Sequence, residues 1–167
     1  MGSIKWKTTK SNFPEMRNRL ESIGGKSVQV GVNWANAWLA AIHEYGCTIV
    51  VTPKMRAYLH RQGLHLKDST TTIRIPERSF LRAGHDKYID AVMKITEKAL
   101  SQVINGSMTE QQFMDLVGQQ MATKIKTYAR DLSDPANHPY TIDQKGSSNP
   151  LVDTGQLIES ITWGGKL

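Results

Sequence analysis

The chain has 167 residues, an apolar fraction of 39% and a formal charge of +6, which fits one domain over 1–167 with a real core. No apolar run reaches the roughly 18 residues a helical membrane span needs; the longest candidate, Trp34 to Ile42, is too short, so no membrane role is expected. Met1 to Trp6 carries no apolar signal core, and the single cysteine, Cys47, excludes an internal disulfide and disfavours a thiolate metal site.

Asn12-Phe13-Pro14 opens a first helix, because proline is favoured early in the first turn. Phe13, Met16, Leu20 and Ile23 share one face, and Gly24-Gly25 stops it. Lys26 to Val32 alternates like a half-buried strand, with Val28, Val30 and Val32 pointing one way. Asn33 is placed to cap a helix from Trp34 to Tyr45, with Ala37, Trp38, Ala41 and Ile42 as its apolar stripe and Gly46 as its end. Thr48 to Thr52 is β-branched and reads as a strand that Pro53 breaks; Cys47 beside it reads as a buried, inert thiol.

Residues 53–73 read as an excursion between two strands, projecting at its tip. Met55, Tyr58 and Leu59 predict a short helix closed by Gly63, and the Thr-rich run to Ile75 returns to strand composition. Pro76 to Leu81 leads into a long helix that Asn105-Gly106 closes. Thr109 and Gln112 form a capping box for a second long helix, with Phe113, Val117, Met121, Ile125 and Tyr128 inside. The short link between them predicts antiparallel packing. Residues 133–150, rich in Pro, Ser, Asn and Gly, read as a mobile loop. Asp153 or Thr154 is expected to cap a terminal helical turn, and Glu159 to Trp163 alternates as a last strand. The expected fold is α+β: a small, mainly antiparallel sheet packed against two long antiparallel helices, with a projecting basic excursion.

Between Lys54 and Lys87 stand eight Lys or Arg against three acids, Asp68, Glu77 and Asp86. Lys54, Arg56, Arg61 and Lys67 offer diffuse positive charge, suited to phosphate or to an acidic protein face. Met55, Tyr58 and Leu59 offer an apolar stripe, of the kind enriched in interface cores. These seven residues are the candidate interface, with protein contact favoured over DNA contact. No helix-turn-helix, zinc-finger or RNA-binding motif is readable.

The search for catalysis finds no P-loop, no dinucleotide fingerprint, no HExxH and no GxSxG. His43 and Glu44 are adjacent on a helix and so face different directions. His60 and His65 could share a metal only with Asp68 as a third ligand, and a surface histidine pair is the expected reading. Asp153-Thr154-Gly155 matches the aspartic-protease triplet, yet a Gly-Ser-Ser-Asn-Pro loop precedes it where that family has an apolar strand. A hydrolase using Asp153 is therefore the remotest of the readings. No catalytic residue, metal or cofactor is expected.

Three segments carry a resemblance. Ile75-Pro76-Glu77-Arg78-Ser79-Phe80-Leu81 resembles the Ile-Pro-x-Arg-Pro-Phe-Leu element of the bacteriophage virion morphogenesis and tail-completion family, with Ser79 in place of the second proline. Pro150 to Ile161, with Asp153, Thr154, Gly155 and Leu157, is similar to that family's Pro-Leu-x-Asp-Thr-Gly-x-Leu-x-x-Ser-Ile ending. Ala40 to Gly46, following Val30-Gly31-Val32, resembles its Ala-x-x-His-Glu-Phe-Gly segment. Pro76, Phe80, Leu81 and Leu157 read as fold-setting residues, with Phe80, Leu81, Leu157 and Ile161 in the core.

The resemblance implies a non-catalytic virion protein, assembled in the host cytoplasm and placed in the neck or at the head-proximal end of the tail. It would form a ring, commonly sixfold, between head-tail connector and tail terminator or tube proteins, with non-specific DNA contact in the channel as a further expectation. The alternative is a small basic nucleic-acid-binding accessory protein.

Overall fold

A computed structural model describes residues 12–164. The chain is α+β, with two long helices packed together and short antiparallel strand pairs beside them. Helix α1, Phe13–Ile23, begins with Pro14 in its first turn and ends where Gly24 N–H donates to Leu20 O. It packs across the two long helices. There Arg19 donates to Ile104 O at 3.0 Å, and Ile23 joins a small core of Ala99, Val103 and Phe113.

The long helices are α4, Leu81–Asn105, and α5, Glu110–Asp131. Gly106 in the left-handed region ends α4, and the Thr109–Gln112 capping box opens α5 as the sequence predicts. Val103 meets Phe113 near the turn, while Leu81, Ile89 and Val92 pack with Ile125 and Tyr128 at the far end, so the pair is antiparallel.

The strands do not form one sheet. Strand β1, Gln29–Val32, pairs antiparallel with β4, Ile161–Gly164, setting Val30 opposite Trp163 and Val32 opposite Ile161. Strand β2, Cys47–Val50, pairs antiparallel with β3, Thr72–Ile75. Among the described residues, it is the β1–β4 pair that lies on the long helices, against α5. Gly118 permits the close approach: a Cβ there would stand 2.3 Å from Trp163 Cδ1. The β2–β3 pair is instead the stalk of the excursion. At its tip sits α3, Pro53–Arg61, capped by Thr52 Oγ1 accepting from Met55 N. Among the described residues, helix α3 makes no substantial packing with any other helix or strand, so the arm projects from them. Cys47, at the foot of the stalk, is half-buried rather than buried.

Helix α2, Ala37–Tyr45, follows a 3-10 turn over Trp34–Asn36 that Asn33 caps. Its inward residues are Ala40 and Glu44, while Trp38 is 77% exposed. Of the expected stripe of Ala37, Trp38, Ala41 and Ile42, the first three are exposed and Ile42 is half-buried. Periodicity reveals that a helix face is apolar, but not what covers it. Residues 133–150 also depart from expectation: α6, Pro139–Lys145, lies within them, capped by His138 at one end and closed by Gly146 at the other. Asn149 Nδ2 donates to Arg130 O, and Lys145 Nζ donates to Asn149 O and Pro150 O, tying the segment down. The terminal turn is α7, Gln156–Glu159. Gly155 at φ +83 starts it, and neither Asp153 nor Thr154 provides a good cap, since Thr154 Oγ1 is 3.5 Å from Gln156 N.

The main core gathers Phe80, Val92, Met121, Ile125, Leu151, Leu157, Ile158 and Ile161. Phe80 and Ile161 are fully enclosed, as expected; Leu81 is only half-buried and packs on the core's margin.

Candidate assembly interface

The three family-like segments, distant in sequence, meet at one junction. Arg78 N donates to His43 O at 2.7 Å, which brings the entrance of the arm onto its exit. Gly46, at φ +71, follows α2 there; a Cβ would stand 2.9 Å from Ile75 O and Glu77 N, so only glycine fits. Phe80 then inserts among Leu151, Leu157, Ile158 and Ile161. The Arg78 guanidinium, 5% exposed, donates through Nε to Pro135 O at 2.7 Å and through Nη2 to Ala136 O at 3.1 Å.

Glu44 organises the junction. One carboxylate oxygen accepts from Phe80 N and Leu81 N, each at 2.9 Å. The other accepts from Ser79 Oγ at 2.7 Å, Arg82 N at 3.1 Å and Arg82 Nε at 2.9 Å. Glu44 is therefore the N-terminal cap of α4, supplied from a different helix. A carboxylate suits that place, since the first N–H groups of a helix lack partners and carry the positive end of its dipole. Burial by itself would raise the Glu44 carboxyl, but the hydrogen bonds from Leu81, Ser79 and Arg82 win and hold it below the ordinary carboxylate value. Arg82 also reaches Glu44 O and Glu77, and lies 4.8 Å over the Tyr45 ring. The junction is a packed cap, closed over the first turn of α4. Pro76, Arg78, Phe80 and Leu157 sit where they fix the fold, and Asp153 and Thr154 are exposed.

The arm divides the seven candidate interface residues. Lys54, Arg61 and Lys67 are exposed, as is Tyr58, while Met55 and Leu59 are half-buried. Arg56 is occupied internally: its guanidinium donates to Leu66 O, Lys67 O and Thr70 O, at 3.2, 2.9 and 2.6 Å. It braces the returning segment of the arm, so its charge serves three carbonyls before any partner.

Exposed apolar side chains are concentrated in the same stretch of chain, on α2 and its flanks as well as the arm. Trp34 is 91% exposed, Trp38 77%, Tyr45 67%, Val50 69% and Tyr58 54%. Single exposed apolar residues are ordinary, but five large ones more than half exposed between positions 34 and 58 mark a surface suited to being covered. Sequence reasoning placed the interface on 53–73 and left out the two tryptophans, of which it set Trp38 in the apolar stripe of α2.

His60 and His65 contact edge to face with centroids 4.3 Å apart, and no cluster of three metal-ligating side chains exists among the described residues. His85 Nδ1 lies 2.9 Å from Asp86 Oδ1, a pair that the sequence reading passed over, and both residues are exposed. Among the described residues, no helix is long and apolar enough to cross a membrane.

Comparison of the chain with protein-family models, with curated proteins and with solved structures returned no match.

Proposed function

We propose that this chain is a non-catalytic structural subunit of a tailed-phage virion, a ring-forming neck or tail-completion protein that joins head to tail. The observation that carries the reading is the run of exposed apolar side chains from Trp34 to Tyr58, borne by α2 and a projecting arm. Such a surface favours lasting protein contact. The resemblance of the three segments supports the same reading, and the junction they build gives them a common structural purpose. Its partners would be further copies of itself in a closed, commonly sixfold rotation, and the connector and tail proteins on either side.

The alternative, a nucleic-acid-binding accessory protein, draws on Lys54, Arg61 and Lys67. It is weakened because Arg56 is tied to the arm's own carbonyls. Phage assembly separates the two. Val50→Ser with Tyr58→Ala should leave separated heads and tails under the electron microscope, while Lys54→Gln, Arg61→Gln and Lys67→Gln together should leave particles joined. Joining blocked by the charge variant alone would refute the packed-interface reading. Salt-sensitive retention of duplex DNA that vanishes with the same three lysine and arginine changes would favour the alternative.

A further inference from the structure

Between α2, β3, α6 and the segment before α7 lies a cavity of about 780 Å³. Arg78 and Lys145 line it together with His43. Arg78 is 5% exposed and makes no ion pair among the described residues. Two of its N–H groups go to the neutral carbonyls of Pro135 and Ala136, and Nη1 finds no partner among the described residues. Lys145 likewise donates only to carbonyls, those of Asn149 and Pro150. His43 Nδ1 is buried without any hydrogen-bond partner among the described residues. The one carboxylate on the wall, Asp153, is exposed and pairs with neither cation.

Enclosing a guanidinium is unfavourable unless an anion compensates it. Here a second cation stands nearby instead, and the two disfavour each other: burial first, then the Arg78 charge, lowers the Lys145 ammonium, with Asp153 opposing. The same two cations add to burial in keeping His43 neutral. Leu39, Ile75 and Leu151 give the wall apolar patches, while Arg74, His138 and Thr141 add further polar groups to it. We propose that this cavity is an oxyanion-binding site, in which Arg78 and Lys145 neutralise a carboxylate or phosphate and the His43 ring supplies a further N–H. The inference is independent of the assembly reading, since none of the exposed residues from Trp34 to Tyr58 named above takes part.

The test is calorimetric titration of the full chain with sodium phosphate and with succinate, at fixed ionic strength made up with chloride. Saturable binding of either anion is expected; succinate alone would assign the site to carboxylates, and both together to oxyanions generally. Lys145→Met should weaken binding by about tenfold or more, and Asp153→Asn should tighten it by about tenfold, the worth of one nearby charge at a protein-surface dielectric. The second substitution is at an exposed residue and predicts a gain, so misfolding cannot imitate it. Imidazole NMR locates the anion: the His43 midpoint should rise from about 4 when the site fills. No saturable binding in either the natural chain or Asp153→Asn, or equal affinity in all three proteins with His43 unmoved, would overturn the proposal.

Discussion

Replacing Glu44 by alanine tests the junction directly. The change strands Phe80 N–H inside the protein, and an unsatisfied buried donor costs about 1–3 kcal/mol. Loss of the cap from Leu81 N and Arg82 N adds about 1 kcal/mol. The Arg82 ion pair adds little, about 0.5 kcal/mol, because the Arg82 side chain is 53% exposed. A loss of about 2.5–4.5 kcal/mol follows, or a fall in Tm of about 5–18 °C for a chain of this size. Glu44→Gln should cost roughly half as much, since one oxygen remains while the new amide N–H groups face backbone donors. The pH dependence separates the variants. A carboxyl held below its ordinary value stabilises the fold above that value, and the stabilisation is lost as pH falls through the folded one. That component should be absent from Glu44→Gln in urea titrations followed by circular dichroism. A Tm for Glu44→Ala within about 3 °C of the natural chain would refute the capping argument.

Burial, then Arg78 and Lys145, holds His43 at about 4 against its ordinary 6.5. The unfolded chain therefore takes up this proton first, and stability should decline as pH falls from 6.5 towards 4; the urea midpoints of His43→Gln should decline less over that interval. Gly118→Ala gains about 1 kcal/mol of helix propensity but drives a Cβ into Trp163, where overpacking costs about 1–3 kcal/mol. A lowered Tm is the expected outcome, and an unchanged or raised one would mean that β4 moves off α5 easily. Arg56→Ala should accelerate proteolytic cleavage within 62–71 while leaving the global melt nearly unchanged, because its three carbonyl partners all belong to the arm.

Local signals were readable in the sequence. Thr109 and Gln112 sit three apart in a fixed pattern, Pro14 and Gly106 mark helix ends by backbone geometry, and Gly63 closes α3. What escaped was non-local. Glu44 looks like any surface acid of α2 until α4 arrives some 35 residues later and presents its N–H groups. The four strands were assigned to one sheet because alternation says that a strand has two faces, but not which strand lies beside it. Helix α6 was legible in principle: His138, Pro139 and Gly146 are its punctuation, but the surrounding Pro, Asn and Ser suggested a loop. Arg56 was counted as free charge because its carbonyl partners, 10 to 14 residues ahead, are backbone groups with no signature in composition.

The bond from Arg78 N to His43 O has a consequence for how the chain varies. It fastens the arm at its root, so the body meets a closed loop whatever lies beyond it. Lengthening a loop whose ends are already fixed costs only slowly, about 0.6 kcal/mol per doubling. Insertions, deletions or a wholesale exchange of residues 51–71 should therefore be absorbed with the helical body almost indifferent. Mutations can accumulate at the tip without crossing the stability threshold of the whole, which leaves the arm free to follow a changing partner.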